Sequence, residues 1–539
     1  MLPVPAGASV DAGGALDAYV KARLADGDGA LGLAVANYRN ALGRDPASLA
    51  IARRAYSQAV SRGDMALALQ SATVLDANGM SPRDASLLRL IDAMGAKDWA
   101  GASRLADRIQ AEQNFAFLVP ILRGWIAVGQ GQPAAAPVAS GSDRFGTLTE
   151  RYADEHVALH ALADGDVLAA IAAIGRALPL MGANSAGARI AFAGQLAARG
   201  KKTEALALLP VDQASFARAR SDIERGKGLN HLKAPLTPRQ GIARLLSRLA
   251  MDVASENGGG RLGIRLARLA LFADPASAEA HIVAADLLTS GGYPQEGAVE
   301  ARKVAATGWY GALAQAELVE ALAASDDEEG AIRLARSLAD APGAEADRLV
   351  RLGRLLSGAR DYAGAAAVFR RAQARFAPDA MPWALLLFEG AALEQGGRWD
   401  EARAVLERAA ALAPNEALVL NYLGYAQIER RENVSAALAL LRKASALKPQ
   451  DPSISDSLGW AHYIAGDIDE AVPVLERAAA GAPADATINE HLGDALWATG
   501  RRFEARYAWR AAFAVAEGDV ARRLEAKARE GMKPEYAAR

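Results

Sequence analysis

The chain predicts an all-α fold, a solenoid of helix hairpins forming a superhelix in two arms. Three observations carry this. Four glycines, Gly390, Gly424, Gly459 and Gly493, stand 34, 35 and 34 residues apart. Four alanines, Ala402, Ala437, Ala471 and Ala505, follow them 12 or 13 residues later and keep the same step. Ala409, Ala444, Ala478 and Ala512 lie seven residues beyond those, and Pro414, Pro449 and Pro483 close the first three units.

Each period must hold two antiparallel helices. The small residues let the two backbones approach, and Leu406, Leu441, Leu475 and Trp509 fill the space beside them. In the third unit Asp451 is placed to cap a helix and Pro452 to occupy its first turn. Gly466 breaks that helix, and a second runs through Glu470-Ala471 to Pro483. One hairpin cannot bury its apolar face alone, so neighbours must stack. A 34-residue period with small residues at these offsets resembles the tetratricopeptide repeat.

Composition agrees. A chain of 539 residues would ordinarily split into several globular domains, a rule that solenoids escape because each repeat touches only its neighbours. Hydrophobic residues make up 51% and aromatics only 6%, which suits close-packed, alanine-rich helices. The net charge of −2 carries no long basic or acidic block, so neither nucleic acid nor an anionic membrane is favoured as a partner. The absence of cysteine excludes disulfides, thiolate metal sites and a lipidated N-terminal cysteine. No run of 18 apolar residues is present, so no transmembrane segment is expected.

In chain order, residues 1–13 read as a small-residue, disordered lead without a basic region ahead of an apolar core. Residues 14–129 read as N-terminal repeats, because Ala34, Ala68 and Ala102 are spaced 34 and 34 apart. Residues 130–146, rich in Pro, Ala, Gly and Ser, read as a linker or long loop. Helical repeats resume over 147–210, an irregular connection covers 211–238, and degenerate repeats run over 239–378. The regular C-terminal array covers 379–516. Residues 517–539 form a capping helix and tail, with Val520 and Leu524 over the last repeat and Arg522, Arg523, Glu525, Lys527 and Arg529 facing water.

Catalytic chemistry is not legible. His156 and His160 share a helix face, but a metal site needs three or four ligands, and the Glu155 beside them is not in the zinc-protease pattern. Gly200-Lys201-Lys202-Thr203 lacks the spacing, the hydroxyl position and the preceding strand of a phosphate loop. No nucleophile arrangement stands out, so no enzyme activity, metal or cofactor is expected. The informative surface is the stripe made by positions 2, 5, 9 and 12 of each first helix. It places Asn421 and Tyr425, then Asp456, Trp460 and Tyr463, then Glu490, Asp494 and Trp497 along a concave groove for a partner. The stripe holds aromatics and carboxylates but no lysine or arginine. That argues against gripping a terminal carboxylate there, and favours a partner segment with Arg or Lys beside apolar anchors.

Three stretches carry a more specific likeness: Asn421-Tyr422-Leu423-Gly424-Tyr425, Asp456-Ser457-Leu458-Gly459-Trp460, and Ile488 to Trp497 followed by Gly500-Arg501-Arg502. Together they resemble exported tetratricopeptide proteins of Gram-negative bacteria, some of which are outer-membrane lipoproteins. Those act as adaptors for periplasmic carboxyl-terminal processing proteases. The resemblance implies a non-enzymatic scaffold that binds partner proteins, holding the protease and presenting peptidoglycan hydrolases to it. It also implies a periplasmic location, with membrane association through a removed N-terminal signal or anchor. The missing cysteine departs from the lipoprotein members. The alternatives are a structural subunit of an envelope or secretion complex, and a cytoplasmic regulatory module.

Overall fold

The computed structural model describes residues 11–134, 144–211, 213–256, 258–341, 343–377 and 380–536. Of the expected lead over 1–13 and the expected linker over 130–146, residues 1–10 and 135–143 lie outside the described residues, and helices begin at Ala12 and Arg144. Those described contain twenty-nine α-helices, a few 3-10 turns and no strand. The chain divides into two compact units, Met1–Ser337 and Leu338–Arg539.

The second unit is built as the period requires. Helices Trp383–Gln395, Ala417–Glu429, Pro452–Ala465 and Ala486–Ala498 each lead a hairpin, and Trp399–Leu412, Val434–Leu447, Ile468–Gly481 and Arg502–Phe513 return from them. The Asp451 carboxylate accepts the backbone N–H groups of Ser453 and Ile454, and Gly466 ends that helix at a φ of 87°. The repeated glycines mark the closest approach within each hairpin. A Cβ on Gly390, Gly424, Gly459 or Gly493 would lie 2.6, 2.8, 2.6 or 2.4 Å from Leu406, Leu441, Leu475 or Trp509. The repeated alanines opposite, Ala402, Ala437, Ala471 and Ala505, are fully buried. The period therefore records steric contact and not merely helix propensity.

The last helix, Gly518–Glu530, caps the array, with Leu524 buried as expected and Val520 38% exposed. Two residues depart from their assignment to solvent: Arg523 is partly covered and turns onto Glu490, and the departure of Lys527 is complete. Lys527 is 0% exposed and points inward onto two carboxylates. Helical spacing distinguishes the faces of a helix, but it cannot show that a buried acid on the preceding hairpin draws a lysine in.

The first unit begins with hairpins Ala12–Gly27/Leu31–Arg44, Leu49–Arg62/Met65–Asp76 and Ala85–Gly95/Trp99–Glu112. Ala34, Ala68 and Ala102 are fully buried in them. The pair Pro238–Ala254 and Gly260–Ala273 then folds back against these hairpins instead of only continuing the line. Arg265 pairs with Asp84, Arg268 Nε donates to the Ser61 carbonyl at 2.9 Å, and Gly241 admits the Trp125 indole. These contacts join residues more than a hundred positions apart, beyond the reach of any repeat period.

Candidate partner-binding groove

The eight groove residues do fall on successive leading helices of the second unit. The structure nevertheless separates them into two groups. Trp460, Asp456, Glu490 and Asp494 are buried, whereas Asn421, Tyr425, Tyr463 and Trp497 are partly exposed.

The buried group forms a ladder from one leading helix to the next. Trp460 Nε1–H donates to Glu429 at 2.8 Å, and its ring stacks on Tyr463 and His491 with centroids 4.8 and 4.0 Å apart. His491 Nδ1 lies 3.0 Å from both oxygens of Asp456. Burial opposes the charged imidazole, but the Asp456 carboxylate outweighs it and holds His491 above its usual range. Further along, Trp509 Nε1–H donates to Asp494 at 2.8 Å. Lys527 donates to Glu490 at 2.7 Å and to both oxygens of Asp494 at 2.8 Å, while Arg523 makes a two-pronged contact with Glu490 at 2.9 and 2.7 Å. The basic helix that these carboxylates invite thus comes from the chain itself. Trp460 is core, because a half-polar ring between close helices finds an acceptor and two stacking partners there. Trp497 packs against the end of the same cap: Gly531, at a φ of 89°, sits where any side chain would strike its ring.

What remains open is a cleft of about 510 Å³ lined by Glu394, Asn421, Tyr422, Tyr425, Glu429 and Arg430. Arg430 pairs with Glu394 and lies 4.3 Å over the Trp399 ring, which fixes one rim. The Tyr422 hydroxyl reaches Glu394 at 3.4 Å, and burial together with that carboxylate pushes it up to about 12. Burial and Glu429 likewise push the Tyr425 hydroxyl up. Both phenols therefore stay protonated donors at any neutral pH. The Asn421 side-chain oxygen has no hydrogen-bond partner among the described residues. The cleft can offer amide and phenol hydrogen bonds, aromatic faces and a carboxylate at Glu429. Stripe counting missed Tyr422, and also Glu394, Glu429 and Arg430, which lie at or just past the ends of the leading helices; the signal was that Glu394 and Glu429 stand one repeat apart.

The His156–His160 pair in the first unit is packing. Trp125 Nε1–H donates to His156 Nδ1 at 3.0 Å, and the His160 ring lies 4.2 Å from the Trp125 ring. Burial pushes His156 down to about 3 and His160 down to about 4. Both rings stay neutral in the fold, whereas in the unfolded chain they take up protons below about 6.5. Their contribution to stability is therefore complete above that pH and is lost as pH falls towards 4. Each ring contributes a slope of about 1.4 kcal/mol per pH unit. Urea unfolding of wild type and His160→Gln between pH 7 and 4 checks this: the variant should show the shallower acid decline. Parallel curves would refute it.

The family model described as tetratricopeptide repeat matches residues 350–417, 389–452 and 457–524. No curated protein matches the chain. Among solved structures, MamA of AMB-1 is 23% identical over 31% of this chain and 96% of its own, with a TM-score of 0.27. MamA of Desulfovibrio magneticus RS-1 is 17% identical over 32% and 96%, with a TM-score of 0.29. A thermophilic TPR protein of Thermus thermophilus is 20% identical over 34% and 97%, with a TM-score of 0.30. Such a repeat fold typically serves as a non-catalytic scaffold that binds other proteins, and no described helix is long and apolar enough to cross a membrane. The repeats of the second unit, with their leading helices, buried glycine contacts and open cleft, are tetratricopeptide repeats.

Proposed function

We propose that the protein is an adaptor whose second unit holds a segment of a partner protein in the cleft around Asn421 and Tyr425. The observation that carries this is the contrast within one stripe. Its last positions are closed by the chain's own Arg523 and Lys527, while its earlier positions line an open cleft with the Asn421 side chain, two phenols and Glu429. A segment presenting hydrogen-bond donors beside an apolar anchor matches that lining. The self-contact at the capping helix, where a basic side chain meets the acids, is a template for such a segment. Together with the likeness to exported repeat proteins, this supports a periplasmic adaptor that recruits peptidoglycan hydrolases to a carboxyl-terminal processing protease.

The test is direct binding, by calorimetry, of the full chain to a purified protease of that class and to a peptidoglycan hydrolase. Asn421→Ala with Tyr425→Ala should weaken one of the two by about ten- to a hundredfold while the circular dichroism stays unchanged. Binding by neither protein, or binding untouched by the double variant, refutes the adaptor reading at this cleft.

A second reading has its own observation. On the last returning helix Phe503 is 73% exposed and Tyr507 56% exposed, their rings 4.9 Å apart, with Arg510 over Tyr507. An exposed aromatic pair with a neighbouring cation suits docking in a larger assembly. Loss of binding with Phe503→Ala and Tyr507→Ala, but not with the cleft variant, would favour an assembly subunit.

A further inference from the structure

We infer that the first unit carries a separate binding site for a carboxylate flanked by an apolar group, in the cleft between Gly63 and the helix Gly260–Ala273. This site lies apart from the cleft of the second unit and does not depend on the adaptor reading.

The cleft has a volume of about 480 Å³. Its floor is Arg268, only 3% exposed, whose Nε is bound to the Ser61 carbonyl and whose Nη1 is paired with Glu300. Its remaining nitrogen, Nη2, is buried and has no partner among the described residues. Lys303 stands on the rim, 49% exposed, with its ammonium 2.9 and 3.0 Å from the Glu300 oxygens. Arg62, 41% exposed, closes the other side and reaches Glu296 at 3.2 Å. Glu300 is the organising group: it gathers Arg268, Lys303 and His281, the last at 2.7 Å, and so aligns their donors without using them all.

Charge decides the ligand. Three cations, Arg62, Arg268 and Lys303, face two carboxylates, Glu296 and Glu300. One negative charge closes the balance and meets the half-exposed ammonium of Lys303 and the guanidinium of Arg62. A phosphate dianion would bring more charge and more acceptor oxygens than these donors match. The wall of Met65, Leu271 and Phe272 is apolar, so a carboxylate attached to an aliphatic or aromatic group fits better than a bare ion. Such a carboxylate can come from a chain terminus or an acidic side chain.

The experiment is calorimetric titration of the full chain with N-acetyl-leucine, N-acetyl-leucinamide, acetate and the capped tripeptide acetyl-Leu-Glu-Leu-amide. N-acetyl-leucine should bind at least about tenfold more tightly than its amide. The double variant Arg62→Gln, Lys303→Gln should erase that difference. Both side chains are surface-exposed, so folding is expected to survive, and circular dichroism confirms it. Asn421→Ala with Tyr425→Ala should leave the titration unchanged, which separates this site from the other cleft. Acetate binding as tightly as N-acetyl-leucine would show that the apolar wall takes no part, and would overturn the proposal. The tripeptide binding best would assign it to an acidic side chain, and N-acetyl-leucine binding best to a chain terminus. Equal binding of acid and amide, no carboxylate binding at all, or full discrimination kept by the double variant would each overturn the proposal.

Discussion

Replacing Lys527 with methionine is expected to destabilise the second unit by about 3–5 kcal/mol, the usual cost of removing one member of a buried ion cluster. The lysine is wholly buried and donates to Glu490 at 2.7 Å and twice to Asp494 at 2.8 Å. Burial raises Asp494 above its ordinary range, and Lys527 works against that rise, so without the lysine the acid is left with a tryptophan N–H as its main partner. Arg523 still serves Glu490, so the loss falls mainly on Asp494. Urea unfolding followed by circular dichroism measures the loss. Adding Asp494→Asn to Lys527→Met should recover part of it, because the stranded charge is then gone. A loss below about 1 kcal/mol would mean that the cluster is solvated and that the cap is held by Leu524 alone.

Glu155→Leu should cost the first unit a similar amount. Glu155 receives Arg244 at 2.9 Å and Arg248 at 3.3 Å, and Arg244 also holds Glu279 at 3.0 Å. Burial pushes the Glu155 carboxyl up, but the two guanidinium groups more than reverse this and hold it below its usual range. Leucine would leave the largely buried Arg244 with Glu279 and take from the largely buried Arg248 its pairing with Glu155, a loss of about 3–5 kcal/mol. Denaturant unfolding followed by circular dichroism measures the loss in a region whose centre is Trp125, fully buried against His156 and His160. If Glu155→Leu unfolds at the wild-type midpoint, the ion cluster is not what joins the helix Arg144–Asp164 to Pro238–Ala254. The packing of Trp125 into Gly241 would then be the link.

Much of the second unit was legible because its contacts are local and repeat. Gly459 meets Leu475 sixteen residues later, and in each of the four periods a glycine meets a large apolar residue 16 or 17 positions on, so steric need is written as spacing. Stripe counting likewise put Asp456, Trp460, Glu490 and Asp494 on one run of helix faces. It could not say which of them a neighbouring helix would cover. A carboxylate on a leading helix looks the same in sequence whether its cation arrives from a partner or from Lys527 thirty-odd residues downstream. The histidine pair shows the same limit, since His156 and His160 flank an indole that stands far earlier in the chain.

The sequence by itself determined the helix hairpins, their period and the small residues that let them close. These follow from backbone geometry and from steric contacts between residues near one another in the chain. Only the tertiary structure decided which polar groups stay open. It sealed Asp494 with Lys527, left Asn421 and Tyr425 in a cleft, and folded Arg268 onto Ser61 across the first unit. Ion pairing and burial depend on which distant helices meet, and no local spacing encodes that meeting.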